Sequence, residues 1–180
     1  GYTNDPTAIG DIYKWNDTYV LDEIVYQTGL MNNNIADILM NQPERVPVAA
    51  DSAEPKSNDE IAMRGITIIP ARKGADSVRS GIQLVQQEKI FVTDRSINIW
   101  KERCNYIWLV DPKTGRPYSP NEPIPTLNHH MDGIRYGFET LLGETPLSSA
   151  RVANVCLRSC IVISLMCNSL QTNFKSWLGS

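Results

Sequence analysis

From residue 46 to residue 107, apolar runs too short for helices alternate with stretches of helical periodicity. This alternation restricts the fold more than any other feature of the chain. Val46-Pro-Val-Ala-Ala50, Ile66 to Ile69 and Lys89 to Thr93 read as strands. Between them, Ser57 to Arg64 reads as a short helix opened by a capping box, with Ser57 three residues ahead of Glu60. Ser77 to Glu88 reads as a helix with Val78, Ile82 and Val85 on one stripe, and Ile97, Trp100, Cys104 and Ile107 recur at helical steps on the next. Strands separated by helices pair in parallel, because the crossover returns the chain to the same end of the sheet.

The first 45 residues follow a different rule. Thr7 to Trp15 and Thr18 to Tyr26 are strand-like and flank Asn16-Asp17, a two-residue turn signal, so they form an antiparallel hairpin. Gly29 breaks the second strand, and Asn32 to Met40 is helical, with Ile35, Ile38 and Leu39 on one side. A hairpin followed by βα units predicts an α/β fold: a mixed sheet, antiparallel at its N-terminal strands and parallel afterwards, with helices packed on it.

Further along, Asp111-Pro-Lys-Thr-Gly115 is a turn between extended arms, and the prolines between 117 and 125 mark a loop. His129 to Leu142 is a helix with Met131, Ile134, Phe138 and Leu141 on its apolar stripe, and Cys104 is expected to be a buried core thiol. Residues 146–180 stand apart. They hold three of the four cysteines and a dense apolar run, Cys160-Ile-Val-Ile-Ser-Leu-Met-Cys167, too polar at its flanks to span a membrane. The reading is therefore one domain over residues 1–142 and an atypical extension over 143–180, either a packed helix or a segment unrelated to the core. Four cysteines without a CxxC spacing fit a reducing compartment and exclude a zinc ribbon.

The formal charge of −3 hides a strong asymmetry. Residues 1–55 carry nine acidic and two basic side chains, whereas residues 56–103 carry nine basic and six acidic. Carboxylates beside a basic strip suit a protein that holds cations and meets phosphates, although ordinary surface patterning produces the same contrast.

Two features carry chemistry. Asp51 follows the apolar run Val46 to Ala50, which places a carboxylate at the carboxyl end of a buried strand, where ligand sites of open α/β sheets gather. It also fits a turn or helix-cap residue. His129 and Asp132 are three apart, so they share a helix face with Tyr136 and lie off the apolar stripe. They equally fit a solvated helix start capped by Asn128. Together the three suit Mg²⁺ or Mn²⁺, since both take carboxylate oxygens and Mn²⁺ also accepts imidazole. Two such ions, roughly 3.5–4 Å apart, hydrolyse phosphodiesters by activating water and stabilising the leaving oxygen. Two metals want three carboxylates, and only two are obvious; Asp22 and Glu23 sit mid-strand, where a solvent-facing role is expected.

Four segments in order, Gly1-Tyr-Thr-Asn-Asp-Pro-Thr-Ala8, Ala50-Asp-Ser-Ala-Glu-Pro-Lys56, Ile69-Pro-Ala-Arg-Lys-Gly74 and Asn128-His-His-Met-Asp-Gly-Ile-Arg-Tyr136, resemble the nuclease domain of phage terminase large subunits. The resemblance spans residues 1 to about 142. It implies an RNase H-like fold and a metal-dependent endonuclease that cuts concatemeric double-stranded viral DNA during packaging in the host cytoplasm. It also implies an ATPase motor domain, a small terminase subunit and a portal as partners, and no membrane. No G-x-x-x-x-G-K-[ST] is present, so the resemblance is to the nuclease half alone.

By the same resemblance, Asp51 corresponds to the second metal-binding aspartate of the family. Asp132 and His129 correspond to the aspartate and histidine of its N-H-x-x-D motif, with Gly133 in place of the usual alanine and His130 at a variable position. The family's first catalytic aspartate would stand two residues before Gly1, so weak metal binding and poor cleavage are expected of these 180 residues. Arg72, Lys73, Arg79, Lys101 and Arg103 are candidates for phosphate contacts, Arg72-Lys73 foremost because they follow a strand near the presumed site. The Asp111 to Arg116 hairpin resembles a flexible insertion near the family's active site. Two other readings stay open: a non-catalytic DNA-docking module, and another RNase H-like nuclease of resolvase type.

Overall fold

The computed structural model describes residues 5–72, 76–118, 122–142 and 157–164. Strands β1 (Pro6–Trp15) and β2 (Thr18–Thr28) form the expected antiparallel hairpin, with Asn16 at the turn in the left-handed region at φ 55°. Helix α1 (Asn32–Met40) follows Gly29, whose φ of 73° ends the strand. The alternation then runs β3 (Val48–Ala50), α2 (Pro55–Ala62), β4 (Ile68–Pro70), α3 (Ser77–Gln86), β5 (Ile90–Val92) and α4 (Ile97–Asn105). Helix α5 (His129–Gly137) continues into a π-helical turn, Phe138–Leu142.

The strands join one six-stranded sheet in the order β4-β3-β6-β1-β2-β5. β3 pairs in parallel with β4, and β2 with β5, as crossover helices require. The mixed α/β sheet read from the sequence is therefore the one observed. Its centre was not anticipated. β6 (Leu157–Ser164), drawn from the stretch set apart as an extension, lies between β1 and β3, antiparallel to the first and parallel to the second. These eight residues are a strand and not a helix. Ile161, Val162 and Ile163 are β-branched, which favours extended backbone once a sheet offers two edges. Residues 143–156 and 165–180 lie outside the described residues.

Helices cover both faces of the sheet. On one, Ile12, Leu21, Ile82, Val85, Ile99 and Phe138 pack together; on the other, Ile9, Ile35, Leu39, Val48 and Ile61 do. Val48, Ala49 and Ala50 are all buried, as expected of a short strand covered on both sides.

Three local expectations change. Helix α2 begins at Pro55 behind Glu54, not at Ser57, because proline is pre-set for the first helical turn and needs no amide partner there. Glu60 instead accepts Asn32 Nδ2 at 2.7 Å, which ties α2 to α1. Cys104 is exposed, and Ile97 and Trp100 are 69% and 37% exposed, so the stripe read as the core face of α4 points outward. The buried face of α4 carries Ile99 and Glu102. A charged residue stands at a core position, and apolar periodicity cannot register that.

Among the described residues, no helix is long and apolar enough to cross a membrane.

Candidate active site

The site lies where β3 ends. Asp51 is 4% exposed, and its Oδ1 accepts the Ala53 amide at 2.8 Å, folding the chain back toward α2. Asn58 of α2 donates to the Asp51 carbonyl at 2.8 Å, so strand end and helix are locked together. The Ala71 amide donates to the Ala50 carbonyl at 2.7 Å, which sets the chain after β4, including exposed Arg72, beside Asp51 at the same sheet edge.

Helix α5 supplies the facing groups. Tyr136 donates to Asp51 Oδ2 at 3.4 Å. Burial, reinforced by the charges of Asp132 and Asp51, holds the Tyr136 phenol well above its ordinary value, so it remains a proton donor. Asp132 is enclosed by its own helix: Asn128 Nδ2 donates to Oδ2 at 2.8 Å and Arg135 Nη2 to Oδ1 at 3.0 Å. Burial raises the Asp132 carboxyl above the usual range, Arg135 opposes the rise, and the Asp51 charge adds to it. Arg135 is itself buried. Burial alone would lower its pKa, but the Asp132 carboxylate outweighs that and keeps the guanidinium charged. It lies over the Tyr136 ring at 4.7 Å and reaches Glu139 at 3.5 Å. Gly81 of α3 makes room for this pair, since a Cβ there would stand 2.3 Å from Arg135 Cγ and 2.6 Å from Glu139 Cδ.

His129 is 6% exposed, and its Nδ1 has no hydrogen-bond partner among the described residues. Its ring meets Tyr26 edge-on at 6.1 Å. Asp132 and His129 thus lie on α5, and Asp51 reaches the same helix at Tyr136, one turn beyond Asp132. Among the described residues, no group of three or more His, Cys, Asp or Glu side chains stands so that it could hold a metal ion.

Beneath this site lies a second polar layer that the sequence did not reveal. Glu102, fully buried, accepts the backbone amides of His130 at 2.6 Å and Met131 at 3.2 Å and so caps α5 from another helix. Burial raises its carboxyl pKa, against the opposing influence of His130 and Tyr26. Glu23 does the same for α4, accepting the amides of Asn98 and Ile99 at 2.9 and 3.1 Å. Its Oε2 lies 3.5 Å from His130 Nε2, and the His130 ring stacks on Tyr26 at 5.3 Å. Asp22 is bound by Arg95 and, at 2.6 Å, by Thr93. Neither mid-strand acid is therefore solvent-facing. The signal for Glu102 was present but inverted: a glutamate where α4 turns toward the core.

The cations divide. Arg72 is exposed on the Asp51 side, its amide donating to Thr140 at 3.3 Å beyond α5, and Arg79 is exposed on α3. Lys101 is exposed on α4, and Arg103 lies over Trp100 at 5.3 Å. Lys73 lies outside the described residues. Residues 108–118 and 122–123 form a ribbon, bridged at Trp108–Pro123 and Val110–Pro117 and turned by Asp111, which accepts the Lys113 amide at 2.8 Å and the Thr114 hydroxyl at 3.0 Å.

The chain is 33% identical over 153 residues to the large terminase subunit of Bacillus phage SPP1, covering 77% of this chain and 34% of that protein. It therefore spans about a third of that relative's length. The solved large terminase of a thermophilic bacteriophage superposes with a TM-score of 0.63 at 21% identity, over 78% of this chain and 38% of that one, a likeness of fold. Residues 1–140 match the family described as the terminase RNase H-like domain, and to that family, with its RNase H-like mixed sheet, this chain belongs.

Proposed function

We propose that this chain is a metal-dependent endonuclease unit of a viral DNA-packaging terminase, hydrolysing phosphodiesters of concatemeric double-stranded DNA in the host cytoplasm. One observation carries the reading: buried Asp51 is near enough to Asp132 for its charge to raise that carboxyl, and His129, one turn back on the same helix, has an imidazole nitrogen without a hydrogen-bond partner. Enclosed like charges beside an unused nitrogen donor are what a divalent cation relieves.

By donor type Asp51 and Asp132 suit Mg²⁺ or Mn²⁺ as carboxylate ligands, and His129 as a ligand or as the group that orients one, once the three are drawn together. Bound there, two such ions would supply a nucleophilic water and stabilise the leaving oxygen. The surrounding residues have their own tasks. Tyr136 donates to Asp51 and fixes its carboxylate. Arg135 and Asn128 hold Asp132 in one rotamer. Arg72 flanks the site with positive charge for the DNA backbone, with Arg79, Lys101 and Arg103 as outlying candidates. By analogy with the relatives, the unit works with an ATPase motor, a small subunit and a portal.

The experiment is Mn²⁺-dependent nicking of supercoiled plasmid together with Mn²⁺ titration by calorimetry. Loss of both in Asp51→Asn and Asp132→Asn supports the reading; unchanged Mn²⁺ binding in both overturns it. The saturation of Asp132 by Asn128 and Arg135 favours a second reading, a DNA-docking module without cleavage. DNA binding with neither Mn²⁺ binding nor nicking would select that one.

A further inference from the structure

Arg135 is one buried cation placed between two carboxylates with different tasks. Its Nη2 donates to Asp132 Oδ1 at 3.0 Å, three residues back on α5. Its Nη1 reaches Glu139 Oε2 at 3.5 Å, four residues on, in the π-helical turn that continues the helix. Burial raises both carboxyls above the usual range, and Arg135 opposes the rise at each, so both feel the same guanidinium. Asp132 is a candidate metal ligand, whereas Glu139 is not. Glu139 is held in place from α3, where Ser80 Oγ lies 3.3 Å from its Oε1 and Gly81 leaves room for the Arg135 and Glu139 side chains together.

Both oxygens of Asp132 are engaged, Oδ2 by Asn128 at 2.8 Å and Oδ1 by Arg135. The two donors differ in what they allow. Asn128 is neutral and can share its oxygen with a cation. The guanidinium cannot, because like charges repel strongly in a closed interior. Arg135 cannot simply let go either, since a buried charge without a partner is costly. A second carboxylate within reach of the same guanidinium removes that obstacle, and only a short swing of the side chain separates the two pairings.

We propose that Arg135 is a transferable counter-ion, which holds Asp132 before a divalent cation binds and passes to Glu139 when the cation takes Asp132 Oδ1. The inference rests on the metal-binding reading above and adds two positioning residues, Arg135 and Glu139, that touch neither metal nor DNA. Glu139 thereby sets the metal affinity of a carboxylate it does not contact.

The test is Mn²⁺ titration of the full chain by calorimetry, with urea midpoints to show that each variant is folded. Glu139→Gln removes the receiving charge and leaves the guanidinium wholly on Asp132. Its Mn²⁺ affinity is expected to fall about 10–100-fold, the usual effect of altering a group that acts on a ligand from behind. Adding Arg135→Gln removes the competing charge and keeps a neutral amide donor, so the double variant is expected to bind Mn²⁺ more tightly than Glu139→Gln alone. A purely structural role for the pair predicts the opposite, a further loss. Crystals of the wild type with and without Mn²⁺ give a readout free of substitutions, in which Arg135 is expected to leave Asp132 Oδ1 for Glu139 as the metal arrives. Unchanged affinity in Glu139→Gln, further loss in the double variant, or Mn²⁺ on Asp132 with Arg135 still bonded to Oδ1 would each overturn the transfer while leaving the metal site standing. No Mn²⁺ binding by the wild type would overturn the metal-binding reading itself, and this inference with it.

Discussion

The carboxylate of Glu102 accepts the backbone amide of His130 at 2.6 Å, and that single contact joins α4 to the first turn of the helix bearing the candidate ligands. With the Met131 amide at 3.2 Å, it takes over the capping that Asn128, at the N-cap, does not perform. Asn128 is thereby released to hold Asp132.

Replacing Glu102 with alanine leaves two helix amides without an acceptor in a closed interior. Charge-assisted hydrogen bonds of this kind are worth about 1.5–3 kcal/mol, so Glu102→Ala is expected to cost about 3 kcal/mol in urea denaturation, and Glu102→Gln less. The pH dependence has a definite sign. Burial raises the folded-state pKa of Glu102, so the folded protein binds the proton more tightly than the unfolded chain does. Its contribution therefore grows as pH falls through the raised value toward the ordinary carboxylate pKa, and shrinks as pH rises through that window. Urea midpoints of wild type and Glu102→Gln across this range should differ in slope accordingly; parallel curves would contradict the assignment.

Metal should stabilise the fold through Asp51 and Asp132. A ligand that binds only the folded state at about a hundredfold excess over its Kd adds about 2.7 kcal/mol. A rise in melting temperature with Mn²⁺, reversed by EDTA and absent in Asp51→Asn and Asp132→Asn, is the expected result. Equal shifts in the variants would place the metal elsewhere.

Gly81 tests the packing behind Arg135. Alanine is about 1 kcal/mol better than glycine in a helix interior. Here its Cβ would collide with Arg135 and Glu139, and overpacking costs about 1–3 kcal/mol. Gly81→Ala is expected to be destabilising on balance and to weaken Mn²⁺ binding through Arg135 and Asp132. A more stable variant with unchanged binding would show that α3 can move away.

Arg72 stands next to Asp51 at the sheet edge, whereas Lys101 projects from α4. Arg72→Ala is expected to weaken DNA binding and reduce the slope of log K against log salt by about 1, the release of one phosphate contact. Lys101→Ala should change it less. Fluorescence anisotropy over a salt series measures both, and the reverse ranking would move the DNA track to α4.

Much of the architecture was legible because local rules and tertiary packing agreed. The Asn16-Asp17 turn, the α1 boundaries and the short strands β3, β4 and β5 all follow from patterns spanning a few residues. Asp51 was legible because a carboxylate after a run of buried residues has few places to be. Glu102 and Glu23 were not, because their role depends on amides belonging to helices 28 and 75 residues away. Cys104 was misread for the same reason: the face of α4 that turns inward was chosen by where Glu102 had to reach.

The sequence by itself determined the strand–helix alternation, the hairpin, the position of Asp51 at a strand end and the His129–Asp132 spacing on one helix face. Only the tertiary structure decided that Asn128 and Arg135 hold Asp132, that Glu102 caps α5, and that Leu157–Ser164 is the central strand. Strand pairing between β1 and β6 crosses about 150 residues of chain and depends on two open edges that no local pattern encodes. Hydrophobic periodicity reports which face of an element is buried. It does not report which distant edge or amide that element will meet.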